Sequence, residues 1–171
     1  MLKLIGIAVV LSGICGWVYT WKESKDSRIT NLRYMHRILT EAEYVLVREK
    51  RSIIYFFEYM GNDKSAMAKV CSDVAVLLKN HTYAAGLQAW EHAVLDRRDS
   101  LCLDKGQTHI ICMAGESFFA RTAKQMSDSL STYRIRIEKM IEAEQRKIAE
   151  QKRIVMPLSA FGGILLIIIL V

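Results

Sequence analysis

The residues closest in type and spacing to a metal site are His109 and Cys112, with Cys102 upstream of them. A helix would place the imidazole of His109 and the thiol of Cys112 one turn apart on one face. With Cys102 they would supply three of the four ligands that a tetrahedral zinc site needs. A fourth ligand is not evident, and thiols in apolar helices are usually core residues. A metal-binding enzyme using His109 and Cys112 is therefore the third-ranked hypothesis.

The acidic pair Glu41 and Glu43 is the second place where side chains could do chemistry. In a regular helix the two carboxylates, two positions apart, lie on different faces, which argues against a catalytic dyad that shares a proton. The sequence also lacks a glycine-rich phosphate loop, an H-E-x-x-H motif, a nucleophile elbow and a Cys-x-x-Cys pair. We therefore expect a protein that is not an enzyme and has no cofactor or metal. Salt bridging or contact with a partner explains Glu41 and Glu43 better than catalysis, and we predict that both bind a partner.

Apolar segments occupy both ends of the chain. No charged residue occurs in Leu4–Trp21 or in Ile154–Val171, and each segment has about 18 residues, near the lower limit for crossing a bilayer. The pattern predicts transmembrane helices at residues 1–21 and 154–171, with a domain of residues 22–153 between them.

A cleaved signal peptide is the alternative for the first segment, because Lys3 precedes an apolar run. No A-x-A cleavage site follows the run. Ile14 stands before Cys15 where a lipoprotein signal would have a small residue. These features favour an anchor that stays attached to the protein.

Small residues within the two apolar segments recur at the spacing that lets membrane helices pack closely. Ala8, Ser12 and Gly16 form one such row, and Ser159 with Gly163 forms another. We expect these five residues to lie where the transmembrane helices contact each other or a neighbour, although glycine is also common in membrane helices for other reasons.

The net charge of +6 comes largely from cations beside the two apolar segments. Cations on the inner flanks of membrane segments indicate a cytoplasmic middle domain next to anionic lipid headgroups, and no nucleic-acid partner is then needed to explain the charge. The flanking cations are Lys22, Lys25, Arg28, Arg33 and Arg37 after the first segment and Arg146, Lys147, Lys152 and Arg153 before the second.

The middle domain is predicted to be an all-α helical bundle, because apolar residues recur every three or four positions and Pro157 is the chain's one proline. Within the first helix the apolar run Ile53–Phe57 is either fully buried or half turned toward a partner, and burial is favoured. The predicted helices run from Lys25 to Met60, from Lys64 to Asn80 and from Tyr83 to Leu95, and the polar run Asp96–Ser100 breaks the third.

A last helix pair is predicted to follow Asp104-Lys105-Gly106. The stretch between Gly115 and Pro157 contains neither glycine nor proline and is long enough for one uninterrupted helix. Its charged second half carries Ile137, Ile141 and Ile148 on a narrow stripe, which fits either a coiled-coil stalk or a bundle helix.

Several short motifs, together with the chain length, resemble the stage III sporulation protein AB family across nearly the whole sequence. They are M-L-K-L-I-G at the start, Glu41-Ala-Glu43, Ala89-Trp90, Ala114-Gly115 before a helix with Gln125, and Phe161-Gly162-Gly163 before a terminal Leu/Ile run.

The resemblance implies a bundle similar to the cytoplasmic domains of the platform proteins of type II secretion and type IV pilus systems. It also implies a cytosolic secretion-type ATPase as partner, within a complex that bridges the mother cell and the developing spore. The protein would then lie in the mother-cell membrane surrounding the forespore.

Two segments depart from the family pattern. Val45–Ser52 lacks the family's Tyr-Gly and Thr-Pro-Leu, which predicts helix in place of a loop, and Ala120 replaces a second glycine expected after Gly115. Contact surfaces built on these segments are expected to differ from those of other members.

We expect, from the residues and the resemblance together, a non-catalytic membrane platform that docks the ATPase to a membrane channel. Its partners would be that ATPase, other membrane proteins of the complex and the lipid bilayer, and the pattern is also compatible with a homo-oligomer. The alternative is a two-anchor coiled-coil scaffold in the membrane without an ATPase partner.

Overall fold

The computed structural model describes the backbone of residues 25–170 and the side chains of residues 25–151. Every regular element in that part of the chain is helical and none is a strand, which confirms the all-α prediction. Contacts divide the chain into one unit of Ser27–Glu142 and another of Met1–Asp26 with Ala143–Val171.

The chain's first described helix, α1, covers residues 25–42 and ends in one wide π-helical turn, Glu43–Arg48. A 3₁₀ turn, Gly115–Phe119, precedes the segment that leads into the last helix. The remaining helices, in chain order, are α2 Ile53–Gly61, α3 Ala66–Lys79, α4 Gly86–Asp96, the short α5 Arg98–Leu101, α6 Lys105–Ala114 and the long α7 Ala123–Leu170.

Polar residues at the helix starts explain where three of these helices begin. The Ser52 hydroxyl accepts a hydrogen bond from a backbone N–H of α2 at 3.2 Å, and the Ser65 hydroxyl accepts one from a backbone N–H of α3 at 3.0 Å. Asp104 and Gln107 form a reciprocal capping box at the start of α6, with hydrogen bonds of 2.8 and 3.1 Å. Such caps satisfy backbone donors that the first helical turn leaves unpaired.

The core of the Ser27–Glu142 unit is centred on four packed aromatic rings. The ring of Phe118 lies 5.4 Å from that of Phe57 and 5.2 Å from that of Trp90, both edge-on. Phe56 packs against Phe57 at 5.3 Å. Because these rings come from α2, α4 and the 3₁₀ turn, they join elements that are distant in sequence.

The single helix predicted from Lys25 to Met60 is wrong, because the chain leaves helical geometry between the π turn and α2. Lys50 has φ 54°, in the left-handed region, where a right-handed helix cannot continue. The apolar spacing runs across this break, so periodicity alone does not reveal it. In the segment Val45–Ser52 the predicted helix is present only as the π turn.

The aromatic run of α2 is only partly buried, contrary to the favoured prediction. Phe56 and Phe57 are fully buried, while Ile53 and Ile54 are half-buried and Tyr55 is exposed. The outer face of α2 therefore presents apolar and aromatic surface to solvent. The polar run Asp96–Ser100 breaks the third predicted helix as expected, since α4 ends at Asp96 and Arg97 separates it from the short helix α5.

The long last helix starts later than the sequence predicts. Gly115 begins a 3₁₀ turn, and α7 starts only at Ala123, where the Thr122 hydroxyl caps the N–H of Gln125 at 3.2 Å. From there α7 continues through Pro157. Its first part is a bundle helix, because three of its side chains are buried in the core, namely Leu130, Tyr133 and Ile137.

Among the residues that the structure describes, no helix is both long enough and apolar enough to span a membrane. The predicted anchor at residues 1–21 lies outside those residues. For the predicted anchor at 154–171, the helical backbone is described as far as Leu170, and the side chains are not.

Candidate interaction surface

One face of α1 is buried and the opposite face is exposed, which gives this helix an outer surface. Arg33, Arg37, Thr40 and Tyr44 are exposed and follow one another at three or four positions, the spacing of a single helical stripe. The buried face consists of Leu32, Met35, Ile38, Leu39 and Ala42. The alternation arises because these five apolar residues also recur at helical spacing.

Glu41 lies at the edge of this outer stripe, one turn beyond Arg37. Its side chain is half-buried, and within the described part of the chain it forms no hydrogen bond or ion pair. An acceptor carboxylate at a surface without an internal partner is available to a donor on another molecule. Of the two predicted partner-binding glutamates, Glu41 has the geometry for that role.

Glu43 is used inside the protein. The Arg134 guanidinium donates to one carboxylate oxygen of Glu43 at 3.2 Å, and the Ser127 hydroxyl donates to the other at 3.3 Å. Both donors belong to α7, so Glu43 connects the start of the π turn to the last helix. The two glutamates therefore have different roles, because Glu43 forms an internal ion pair and Glu41 lies at the surface.

The π turn Glu43–Arg48 changes which residues of α1 face the core. An apolar stripe continued at regular helical spacing from Ala42 would place Leu46 in the core, but Val45 is buried and Leu46 is half-buried. A π turn accommodates an additional residue, so it shifts the register of the side chains that follow. Tyr44 is 53% exposed and lies at the outer side of this turn.

A cleft of about 450 Å³ lies beside the outer face of α1. Within it the Tyr34 hydroxyl donates to the Met60 carbonyl at 2.6 Å. The Arg37 guanidinium lies over the Tyr34 ring, 5.7 Å from its centre, and pairs with Asp63 at 3.8 Å. The residues lining the cleft are Tyr34, Arg37, Tyr59, Met60, Asn62, Asp63 and Lys64.

Arginine and tyrosine are the residue types found most often at the centre of protein interfaces. Arg37, Tyr44 and Tyr59 are all exposed, and Tyr59 is 47% exposed. We define the α1 surface as Arg37, Glu41 and Tyr44 with the adjoining cleft. Tyr44 and Tyr59 were not predicted as site residues, because helical spacing in α1 was extended without the π turn and burial was favoured for the apolar run Ile53–Phe57 just before Tyr59.

The residues considered for a metal site are not arranged as one. His109 and Cys112 both line a groove beside α6, but Cys102 is not among the residues that line it. In the part of the chain that the structure describes, no group of three or more His, Cys, Asp or Glu side chains could hold a metal ion. Burial, with a smaller contribution from the charge of Glu91, raises the pKa of the Cys112 thiol.

The two rows of small residues expected to pack in the membrane lie outside the part whose side chains are described. Ala8, Ser12 and Gly16 precede the described residues. Ser159 and Gly163 belong to the helical backbone of α7, but the structure gives nothing on their side chains.

Two interior motifs that carry the family resemblance, Ala89-Trp90 and Ala114-Gly115, lie in the core rather than on the α1 surface. Ala89, Trp90, Ala114 and Gly115 are all buried. The Trp90 indole N–H donates to the Ile111 carbonyl at 2.9 Å, and a Cβ atom added at Gly115 would overlap the indole ring. Here glycine permits a close approach between the end of α6 and α4.

Comparison with curated proteins found no match, and comparison with solved structures found none either. A family model does match the sequence, and it covers residues 3–171. The family match therefore extends over essentially the whole chain. The chain belongs to the stage III sporulation protein AB family.

Proposed function

We propose that this protein is a non-catalytic membrane platform in a sporulation-specific, secretion-like complex, where it docks a cytosolic secretion-type ATPase to the membrane channel. Membership of the sporulation family supports the sporulation part of the proposal. The helical bundle with one outward-facing polar and aromatic surface supports a role in protein binding. Other membrane proteins of the same complex would be further partners.

The observation that carries the docking proposal is the α1 surface. Glu41 has no internal partner in the described part of the chain, while Glu43 two residues later is paired with Arg134. A lone carboxylate beside an exposed tyrosine and an arginine forms a mixed charged and aromatic patch. Such patches attract oppositely charged surfaces during encounter and provide aromatic contact area once bound.

The membrane part of the proposal depends on the amino-acid sequence. The uncharged segments at residues 1–21 and 154–171 would cross the mother-cell membrane that surrounds the forespore. The cations on their inner flanks would keep the intervening domain in the cytoplasm, where a cytosolic ATPase can reach the α1 surface.

The non-enzymatic part of the proposal rests on the sequence motifs. The chain has no glycine-rich phosphate loop, no H-E-x-x-H motif and no nucleophile elbow. In this proposal the ATPase carries out the chemistry, and the platform couples it to the membrane.

The two-anchor coiled-coil scaffold explains less of the structure. It requires α7 to pair with a helix of another chain along its apolar stripe. At the start of α7, however, Leu130, Tyr133 and Ile137 are buried within the same chain. A free coiled-coil seam is therefore not present in that part of α7.

The test is the rate at which the ATPase of the complex associates with the full-length protein in detergent or nanodiscs, measured at low and high salt. Glu41→Lys should slow association at low salt by roughly threefold to tenfold, with a smaller difference at high salt, because exposed charges mainly steer encounter. The matched control is Glu116→Lys, the same charge change at an exposed glutamate of the 3₁₀ turn. If Glu41→Lys associates normally while folded, the α1 surface is not the docking site.

A further inference from the structure

A surface groove of about 350 Å³ runs beside α4, α5 and α6, apart from the residues of the α1 surface. Leu95 lies in it and is 56% exposed, although a large aliphatic side chain is usually buried. We call this feature the α4–α6 groove. Its lining residues are Glu91, Leu95, Arg98, Lys105, Thr108, His109 and Cys112.

The groove has opposite charges at its two ends. Glu91 precedes Leu95 by one turn of α4, while Arg98 and Lys105 follow Leu95 in the chain and belong to α5 and α6. None of these three charged side chains forms an ion pair with another residue in the region that the structure describes. The groove therefore presents an acidic end at Glu91 and a basic end at Arg98 and Lys105, on either side of the exposed Leu95, and α6 adds Thr108, His109 and Cys112 to its lining.

The outer face of α7 carries a ridge with the matching pattern. Ile135 is 49% exposed, Asp128 precedes it by two turns, and Lys139 follows it by one turn on the same face. Glu138, also exposed, lies at the margin of this face. Asp128 and Lys139 form no ion pair with other described residues. We call Asp128, Ile135 and Lys139 the α7 ridge.

We propose that the α4–α6 groove of one copy receives the α7 ridge of a second copy. In this contact Ile135 lies on Leu95, so that two exposed aliphatic side chains are removed from water. Lys139 then faces Glu91, because each charge is one helical turn from its own apolar neighbour. Asp128 faces the basic end of the groove. The charges of the ridge match those of the groove in spacing and are opposite in sign, which favours a second copy over an unrelated partner.

The geometry of this contact has two consequences. Because groove and ridge are different surfaces of the chain, each copy can engage two neighbours, which produces a ring or an open row rather than a closed pair. The contact uses only a few side chains of each copy, compared with about 20–30 residues a side in a stable interface, so a single contact is weak. Association should therefore depend steeply on protein concentration.

The first test detects the contact in the unmodified full-length protein in mild detergent. Isotopically labelled and unlabelled chains are mixed and treated with a carbodiimide, which joins a carboxylate directly to an amine. We expect a Glu91–Lys139 cross-link in mixed-isotope pairs, increasing with protein concentration. If such pairs are absent, or if this cross-link occurs only within single chains, the proposal is overturned.

The second test exchanges the charges. Glu91→Lys alone and Lys139→Glu alone should each reduce the cross-linked dimer fraction obtained with a lysine-independent photocross-linker by at least threefold, and both changes in one chain should restore it. Lys69→Glu is the matched control, because it makes the same charge change at an exposed lysine of α3, outside the groove and the ridge. If the dimer fraction of the double variant falls by the sum of the two single decreases, the pairing is contradicted. If a single variant fails to fold, the isotope experiment on unmodified chains still decides the question.

Discussion

Arg134 and Glu43 are 91 positions apart in the chain, yet the guanidinium of one donates to the carboxylate of the other at 3.2 Å. The contact attaches the π turn after α1 to α7, and the Ser127 hydroxyl adds a second hydrogen bond at 3.3 Å. A family-like glutamate that sequence reasoning assigned to a partner thus stabilises the bundle. The neighbouring Glu41 is the carboxylate left at the surface.

The Arg134–Glu43 pair should contribute measurably to stability. Both side chains are partly exposed, so the coupling free energy should be about 1 kcal/mol or less. We expect Glu43→Gln and Arg134→Met each to lower the free energy of unfolding, and the double variant to lose less than the sum. Urea unfolding of the full-length protein in detergent measures this. Glu41→Gln is the control and should change stability by about 0.5 kcal/mol or less. Strict additivity of the two single variants would contradict the pairing.

Gly115→Ala should destabilise the bundle, because the new methyl group would collide with the buried Trp90 ring. Overpacking of this kind costs about 1–3 kcal/mol. Gly106→Ala is the matched control, since its Cβ would lie 3.4 Å from the Asp104 carboxylate, an ordinary contact, and alanine favours the helix. Thermal unfolding should thus show a lower midpoint for Gly115→Ala and an equal or higher midpoint for Gly106→Ala. Equal midpoints for the two variants would exclude the close approach.

Stability should fall above pH 10 in part through Tyr34. Burial, as the main cause, raises the pKa of the Tyr34 phenol to about 12, from the usual value near 10. The folded state therefore favours the neutral phenol, and this contribution is complete below pH 10 and is lost as pH rises from about 10 to about 12.

Tyr34→Phe tests this pH dependence. The variant should be less stable at pH 8, by about 1 kcal/mol, because the Met60 carbonyl loses its donor. Its unfolding free energy should then decline less steeply than that of the unmodified protein between pH 10 and pH 12. Parallel declines for the two proteins would show that Tyr34 titrates normally.

The proposed topology predicts where Asp99 is accessible. Asp99 is exposed, so a cysteine placed there can react with thiol reagents. Asp99→Cys should resist a membrane-impermeant reagent in intact cells and react after the cells are permeabilised. The unsubstituted protein is the control, because Cys71 is fully buried and Cys102 and Cys112 are partly buried. Strong labelling of Asp99→Cys in intact cells would reverse the topology.

The sequence was sufficient to predict elements whose signals are local. The helix predicted from Lys64 to Asn80 has bounds within two residues of those of α3, Ala66–Lys79. The π turn was not predictable in this way, because the apolar residues continue at helical spacing through Glu43–Arg48 and across the break at Lys50. A residue in the left-handed region leaves no trace in hydrophobic periodicity.

The candidate surface could be predicted only in part, for a related reason. Glu41 and Glu43 are indistinguishable in sequence, and only the tertiary contact with Arg134 separates their roles. Tyr59 closely follows the apolar run Ile53–Phe57, for which burial was favoured, and it is exposed where α2 turns its outer face to solvent. Contacts between residues distant in the chain determine such differences, and these contacts cannot be predicted from a single sequence.

The most direct test of the docking proposal is hydrogen–deuterium exchange of the full-length protein with and without the ATPase of the complex. We expect binding to slow exchange in residues 33–48 and 59–64, which contain the α1 surface and its cleft, and to leave Gly86–Leu101 unchanged. Slower exchange confined to other segments, or no detectable complex at micromolar concentrations of both proteins, would contradict the account.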